Sequence, residues 1–266
     1  REFYIAATSD YGTVSGAGWY SEGDTAEIVV SPTVAESTDT SRLKFAGWYG
    51  FDAPVADSAA RFEVSRAESL WALWRKEFFV QVNSGGHGTA FGTGWYALVD
   101  SARISISPDT ELVADGVRWK FVGWDGVGIG AYSGEEPSAT IRVGSHIVQT
   151  ANWERQFRLD IDYSGVSGVE PEITGAGYHT AHSEVEVCAQ PILYYGEVRY
   201  HFDHWSGGTF ADSSAHCTTV SLDTAMTITA NYAVREISPI DTITGDLGDT
   251  LKVPIMMYSD AVEILN

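Results

Sequence analysis

Lys44-Phe45-Ala46-Gly47-Trp48-Tyr49, followed by Leu70-Trp71-Ala72-Leu73-Trp74, is the stretch from which the rest of the chain is read. Phe45-x-Gly-Trp48 returns as Phe121-Val122-Gly123-Trp124 and, loosened, as Phe202-Asp203-His204-Trp205. Ala72-Leu73-Trp74 returns as Ala151-Asn152-Trp153 and Ala230-Asn231-Tyr232. A third marker precedes both: Gly18-Trp19-Tyr20, then Gly94-Trp95-Tyr96, then Gly177-Tyr178-His179. Markers that shift together by about eighty residues are the signature of tandem repeats.

This spacing divides the 266 residues into small units rather than one large domain. The expected division is module 1 over residues 1–76, module 2 over 77–155 and module 3 over 156–234, with a different element from 235 to 266. Units of this size have limited cores. Nine Trp, thirteen Tyr and eleven Phe offset this, since each aromatic buries a large area. Trp19, Phe45, Trp48, Trp74, Trp95, Phe121, Trp124, Trp153, Phe202, Trp205 and Tyr232 are accordingly expected to be core or inter-module packing residues.

Charge excludes one class of partner. Asp and Glu number 36 against 16 Lys and Arg, a net −20, and nucleic-acid binding needs a basic footprint. No apolar run approaches the roughly eighteen residues of a membrane-spanning helix. No leader peptide is visible, and the chain opens directly on Phe3–Ala7 and stops in mid-pattern at Ile264-Leu265-Asn266, which reads as a segment of a longer polypeptide.

Within each unit, short runs alternate with period two and are punctuated by Gly, Pro, Asp and Ser; Ala26-Glu27-Ile28-Val29-Val30 before Pro32 and Ala102-Arg103-Ile104-Ser105-Ile106 before Pro108 are examples. The pattern predicts an all-β fold. Arg66-Ala67-Glu68-Ser69 is the one candidate for a helical turn. In the tail, Gly245–Thr250 enters the strand-like Leu251-Lys252-Val253-Pro254-Ile255. Two readings stay open there: the start of an immunoglobulin-like or cohesin-like sandwich, or a donor strand that completes a neighbouring subunit.

The third unit holds both cysteines, Cys188 and Cys217, on segments expected to be strands. A disulfide stapling a small core is the expected pairing, and it points to an oxidising, extracellular setting. Two buried free thiols are the alternative.

These markers resemble the divergent InlB B-repeat, also called the Listeria–Bacteroides repeat, whose signature is aromatic-x-Gly-Trp followed about twenty-five residues later by a strand ending in Ala-x-Trp. The first unit fits closely and the second well. The third fits loosely, because His204 replaces Gly and Tyr232 replaces Trp. The resemblance covers about residues 2 to 234. It implies small β-rich modules, β-grasp-like in better-known members, used in tandem in cell-surface proteins. It brings no catalytic residues.

The sequence carries few signals of chemistry. His179-x-x-His182, His201-x-x-His204 and His216 have spacings that zinc sites use on helices. His201 and His204 are expected on or next to a strand, where i and i+3 face opposite ways and cannot easily converge; His179, His201 and His216 come from different segments and could meet, but no zinc site is assigned. Asp160-x-Asp162, Glu135-Glu136 and Asp246-x-x-Asp249 supply oxygens for weakly bound calcium without following an EF-hand pattern. Gly126–Gly130 lacks the strand-to-helix context and Lys-Ser/Thr of a phosphate cradle. No Gly-x-Ser-x-Gly elbow or acid–nucleophile carboxylate pair appears. No catalytic, cofactor or metal residue is assigned, and the chain is expected not to be an enzyme.

The expected function is structural: part of a surface layer (S-layer), sheath, filament or stalk that assembles with copies of itself or other envelope proteins. An adhesin that binds glycan or protein through aromatic loops is the alternative, and the non-catalytic region of a secreted hydrolase is the third. All three place the chain outside the cell, at the surface.

Overall fold

The computed structural model describes residues 1–50, 55–196 and 198–234. The readings made for residues 235–266 therefore fall outside the described residues. The first strands are β1 (Glu2–Thr8), β2 (Thr13–Ser15), β3 (Gly18–Ser21), β4 (Thr25–Ser31), β5 (Val34–Ala35), β6 (Ser41–Tyr49), β7 (Ala59–Glu63) and the long β8 (Glu68–Asn83). There follow β9 (Thr89–Phe91), β10 (Gly94–Ala97), β11 (Ser101–Ser107), β12 (Thr110–Ala114), β13 (Val117–Val127), β14 (Ser138–Arg142) and another long strand, β15 (Ile147–Ser164). The last are β16 (Ile173–Thr174), β17 (Gly177–Thr180), β18 (Ser183–Ala189), β19 (Ile192–Tyr195), β20 (Val198–Ser206), β21 (Cys217–Leu222) and β22 (Met226–Val234).

The described residues contain no helix, so the fold is all-β and the β-grasp expectation is corrected: a β-grasp sheet curls around a helix. The one candidate for a helical turn contributes Glu68 and Ser69 to the start of β8 instead. Alternate positions of that strand, Leu70 and Ala72, are buried, and period two prevails.

The marker Phe-x-Gly-Trp has a specific geometry. Residues i and i+3 of a regular strand face opposite ways, yet Phe45 and Trp48 are both buried. The pairing of β6 with β8 shifts between Phe45 and Gly47, so Ala46 is an extra residue in a β-bulge and both rings turn inward. The same shift occurs between Phe121 and Gly123 on β13, and between Phe202 and His204 on β20. Ring centroids of the paired aromatics lie 5.6, 5.5 and 5.4 Å apart. Trp74, Trp153 and Tyr232 then stand edge-on to the same phenylalanines, each at 5.9 Å. Gly47 has φ +140°, and a Cβ there would meet the Val55 carbonyl oxygen at 2.8 Å. Glycine is therefore required in the first copy, whereas His204 fills the equivalent position in the third and the bulge persists.

The chain parts into two compact units. The first comprises Arg1–Leu159, Gly177–Ser183 and Leu222–Met226; the second comprises Asp160–Ala176, Glu184–Ser221 and the residues from Thr227. Modules 1 and 2 of the sequence division both fall in the first unit, because β8 serves both. Its first half pairs parallel with β1 (Ala7↔Leu70) and its second half parallel with β15 (Val80↔Ile147). β6 lies antiparallel along it from Tyr49↔Trp71 to Ser41↔Phe78, and β10 pairs with it from Ala97↔Glu77 to Gly94↔Val80.

Three-stranded sheets β2–β4–β7 and β9–β11–β14 complete this unit. One core gathers Ile5, Ile28, Val30, Trp48 and Leu70; another gathers Val80, Ile104, Trp124, Ile141 and Ile147. The tyrosine of the Gly-Trp-Tyr marker turns inward: Tyr20 Oη donates to the Gly16 carbonyl at 2.6 Å, and Tyr96 Oη to that of Gly92 at 2.9 Å.

In the second unit β20 pairs antiparallel with β19 and with β22. The sheet β16–β18–β21 carries Cys188 and Cys217, which are joined as a disulfide. Trp205 is buried and its Nε1 donates to the Ala215 carbonyl at 3.1 Å.

Tyr232 is buried beside Phe202, with its hydroxyl donating to the Gln190 carbonyl at 3.0 Å, and burial pushes its pKa up to about 12. The unfolded phenol ionises near 10. The neutral ring's contribution is therefore whole below pH 10 and is lost as pH rises towards 12, an effect of about 2 to 3 kcal/mol. Urea denaturation across this window should show the decline, and Tyr232→Phe should flatten it.

Candidate functional site

Side chains directly opposite each other in a sheet point to the same side, which sorts the aromatic residues into two faces. Inward residues make the cores described above. On the outward face of the first unit, Tyr49 on β6 lies opposite Trp71 on β8, with ring centroids 6.1 Å apart. Both are exposed, at 64% and 49%, and Leu73 two residues along β8 is exposed at 46%. Thr8 sits opposite Trp71 from β1, and Ser69 precedes it on the same side. The result is an exposed apolar strip with hydroxyls beside it.

This strip does not recur. The pair in register with Tyr49↔Trp71 is Asp125↔Thr150 on β13 and β15, and Ser206↔Thr229 on β20 and β22. Leu73 corresponds to Asn152 and Asn231, which lie opposite Gly123 and His204 as Leu73 lies opposite Gly47. Tyr49, Trp71 and Leu73 lie inside the repeat-marker stretches, so the sequence pattern alone does not set them apart. The signal that identifies them is their absence from the other copies. A recurring aromatic serves packing, while one that appears once on an exposed face is unexplained by packing.

The repeat pattern predicts packing roles for Trp19 and Trp95. They lie on strands β3 and β10, and they differ from one another. Trp19 is 68% exposed, touching Tyr4 edge-on at 5.4 Å. Trp95 is half-buried, packed on Phe79 at 5.3 Å and covered by Arg42, whose guanidinium carbon lies 4.4 Å from the ring centroid.

Arg42 is held by a buried carboxylate. Its Nε and Nη2 both donate to Glu77 Oε2 at 2.7 Å, and Arg75 Nε donates to Glu77 Oε1 at 3.0 Å. Glu77 is 3% exposed, on the face that would otherwise be open to water. A second joint of the same plan follows. Arg118 Nε donates to Gln156 Oε1 at 2.8 Å, and the Arg118 guanidinium covers the Tyr178 ring at 3.9 Å. Gln156 Nε2 donates to Glu154, which also accepts from Thr180 Oγ1. Sequence reading did not find these joints, because Glu77 and Gln156 look like ordinary outward polar residues of a strand.

Nothing in the geometry supports chemistry. Among the described residues no group of three His, Cys, Asp or Glu side chains could hold a metal ion. His182 Nδ1 lies 3.3 Å from Asp223 and His204 Nδ1 lies 2.8 Å from Asp203. Asp212, which accepts from the backbone N–H and the hydroxyl of Ser214, is held below the ordinary carboxylate range by those bonds. Among the described residues no helix is long and apolar enough to cross a membrane.

Residues 169–236 match the family model described as the divergent InlB B-repeat domain. The match is to a single stretch, not to the whole span of residues 2 to 234, and it falls on the copy whose markers depart most from the signature. Neither the curated proteins nor the solved structures contain a match to the chain.

The joint makes a stability prediction. Glu77→Ala leaves two guanidinium groups without their acceptor and should cost about 3 kcal/mol. Glu77→Gln should cost less, since Gln156 accepts from Arg118 in the same way. Guanidinium chloride denaturation of the two variants checks the ranking.

Proposed function

We propose that the chain is part of an extracellular surface protein of the adhesin kind, and that the Tyr49–Trp71–Leu73 strip is its ligand-binding face. The observation that carries this reading is the strip's combination of exposure and non-recurrence. Exposed apolar patches rimmed by polar groups mark interaction sites. The strip exposes two aromatic rings and is flanked by the hydroxyls of Thr8 and Ser69, which suits the C–H face and hydroxyl edge of a sugar ring. A net charge of −20 favours neutral over acidic glycans. The match to a divergent InlB B-repeat and the Cys188–Cys217 disulfide support a surface setting.

A second reading, assembly into a filament, sheath or surface layer, is favoured by one observation. The arginine-on-ring joint occurs twice, at Arg42–Trp95 and Arg118–Tyr178, and is a ready means of joining one β unit to the next.

The test of the first reading is a neutral-glycan array followed by titration calorimetry on the hits. Trp71→Ala should weaken binding by at least about tenfold, as loss of a central aromatic anchor does. Its melting temperature should hardly change, because the ring is half exposed. Retention of full affinity in both Trp71→Ala and Tyr49→Ala would overturn the assignment.

A further inference from the structure

The disulfide of the third copy lies on the outward side of its sheet, away from the core. Along β18 the buried residues are Val185, Val187 and Ala189, so Cys188 faces outward with Glu184 and Glu186. Along β21 Thr218 and Val220 are buried, and Cys217 faces outward with Thr219. Cys188 is half-buried and Cys217 is exposed. Their Cα atoms are 4.1 Å apart, as in residues directly opposite each other on neighbouring strands. Val185, Val187 and Val220 close the core beneath without either sulfur.

The other two copies build the same sheet with no covalent link. The Ala189 N–H donates to the His216 carbonyl at 2.8 Å, as Val30 donates to Ser58 at 3.1 Å and Ile106 to Pro137 at 3.0 Å. These bonds put Cys188 and Cys217 in register with Val29 and Ala59 of the first copy, and with Ser105 and Ser138 of the second. Val29↔Ala59 and Ser105↔Ser138 are opposed pairs on strands held by backbone hydrogen bonds alone. Ser138 is exposed like Cys217, even though another copy follows it in sequence. The sheet pattern therefore does not require a bridge at this place, and the bridge joins strands that are already paired. A disulfide is exchanged by attack of a thiolate on one of its sulfurs, at a rate that depends on access, and exposed bridges are the labile ones.

We propose that Cys188–Cys217 is a thiol-exchange site through which the chain takes up a thiol-bearing molecule covalently. The incoming thiolate attacks Cys217 Sγ, the exposed sulfur. A bond forms between the incoming sulfur and Cys217 Sγ as the Cys188–Cys217 bond breaks. The electron pair of the broken bond leaves with Cys188 as a thiolate, which takes a proton from water. One disulfide replaces another, so the step needs no further oxidant or reductant. Sheet β16–β18–β21 keeps its backbone hydrogen bonds and its core, and the chain stays folded while it carries the adduct. A net charge of −20, with Glu184 and Glu186 on the same face, favours a cationic thiol over one that bears carboxylates. The proposal is independent of the glycan strip and of the assembly reading, neither of which uses the cysteines.

Cysteamine, a cationic thiol, tests it on the purified chain. Timed samples are quenched with N-ethylmaleimide, which caps freed thiols, and read by intact mass and peptide mapping. The folded chain should carry one cysteamine on Cys217 and one maleimide on Cys188. Its exchange rate should lie within about a hundredfold of the rate in urea-unfolded chain, whereas a bridge reached only through unfolding is slowed by roughly a thousandfold or more. Slower exchange than that hundredfold limit overturns the proposal, and so does cysteamine found on Cys188. The double variant Cys188→Ser/Cys217→Ser, which copies the Ser105↔Ser138 pair, should keep the β-sheet circular dichroism spectrum and a cooperative melt. Loss of the fold in that variant would make the bridge a structural staple and overturn the proposal as well.

Discussion

The bulge that turns both rings of Phe-x-Gly-Trp to the same side is the constraint on which the rest depends. Without an extra residue, Phe45 and Trp48 would face opposite sides of β6, and one of them would be lost from the core. With it, Phe45, Trp48 and Trp74 form a contiguous edge-to-face cluster across two strands. Removing a buried tryptophan of this kind costs about 3 to 5 kcal/mol, a large share of what a small core supplies. The cluster also sets register, since a slip of one residue along β8 would send Leu70 and Ala72 outward.

Sharing β8 has a consequence beyond economy of strands. A strand that ends one pattern and begins the next passes through a point where neither pattern's core is beneath it. Glu77 sits there, and its carboxylate would be open to water if Arg42 and Arg75 did not close over it. Breaking one such buried pair is expensive because its partners are left uncompensated, whereas the intact pair mainly confers specificity of fit. Here the specificity is directional: the arginine comes from the earlier strand and the ring from the later one. Gln156 repeats the arrangement with an amide, so a formal charge on the acceptor is not essential to it.

The outward face separates two kinds of aromatic residue that look alike in a one-dimensional pattern. Trp95 and Tyr178 are covered by arginines and belong to the architecture. Tyr49, Trp71 and Leu73 are uncovered, and the positions in register with them are polar elsewhere. An apolar strip kept exposed beside a well-packed sheet is unfavourable for solubility unless something binds it. That contrast, rather than aromatic content, is what sets these three residues apart from packing.

By itself the sequence determined the all-β class and the recurring aromatic clusters, and it made a Cys188–Cys217 disulfide the expected pairing. Those follow from local quantities: period-two alternation, turn residues, and markers repeated at constant spacing. Only the tertiary structure decided which outward residues matter. Whether Trp19 is buried like Trp95 depends on an arginine about fifty residues away in sequence from the ring it covers, on a strand across the sheet. Glu77 reads as a solvated strand residue until Arg42 is set opposite it by the register of β6 on β8. The absence of a helix was likewise a tertiary outcome for Glu68–Ser69, whose β8 continuation buries Leu70 and Ala72. Period and composition are written in neighbouring residues, while cover, exposure and charge pairing arise from which strand lies beside which.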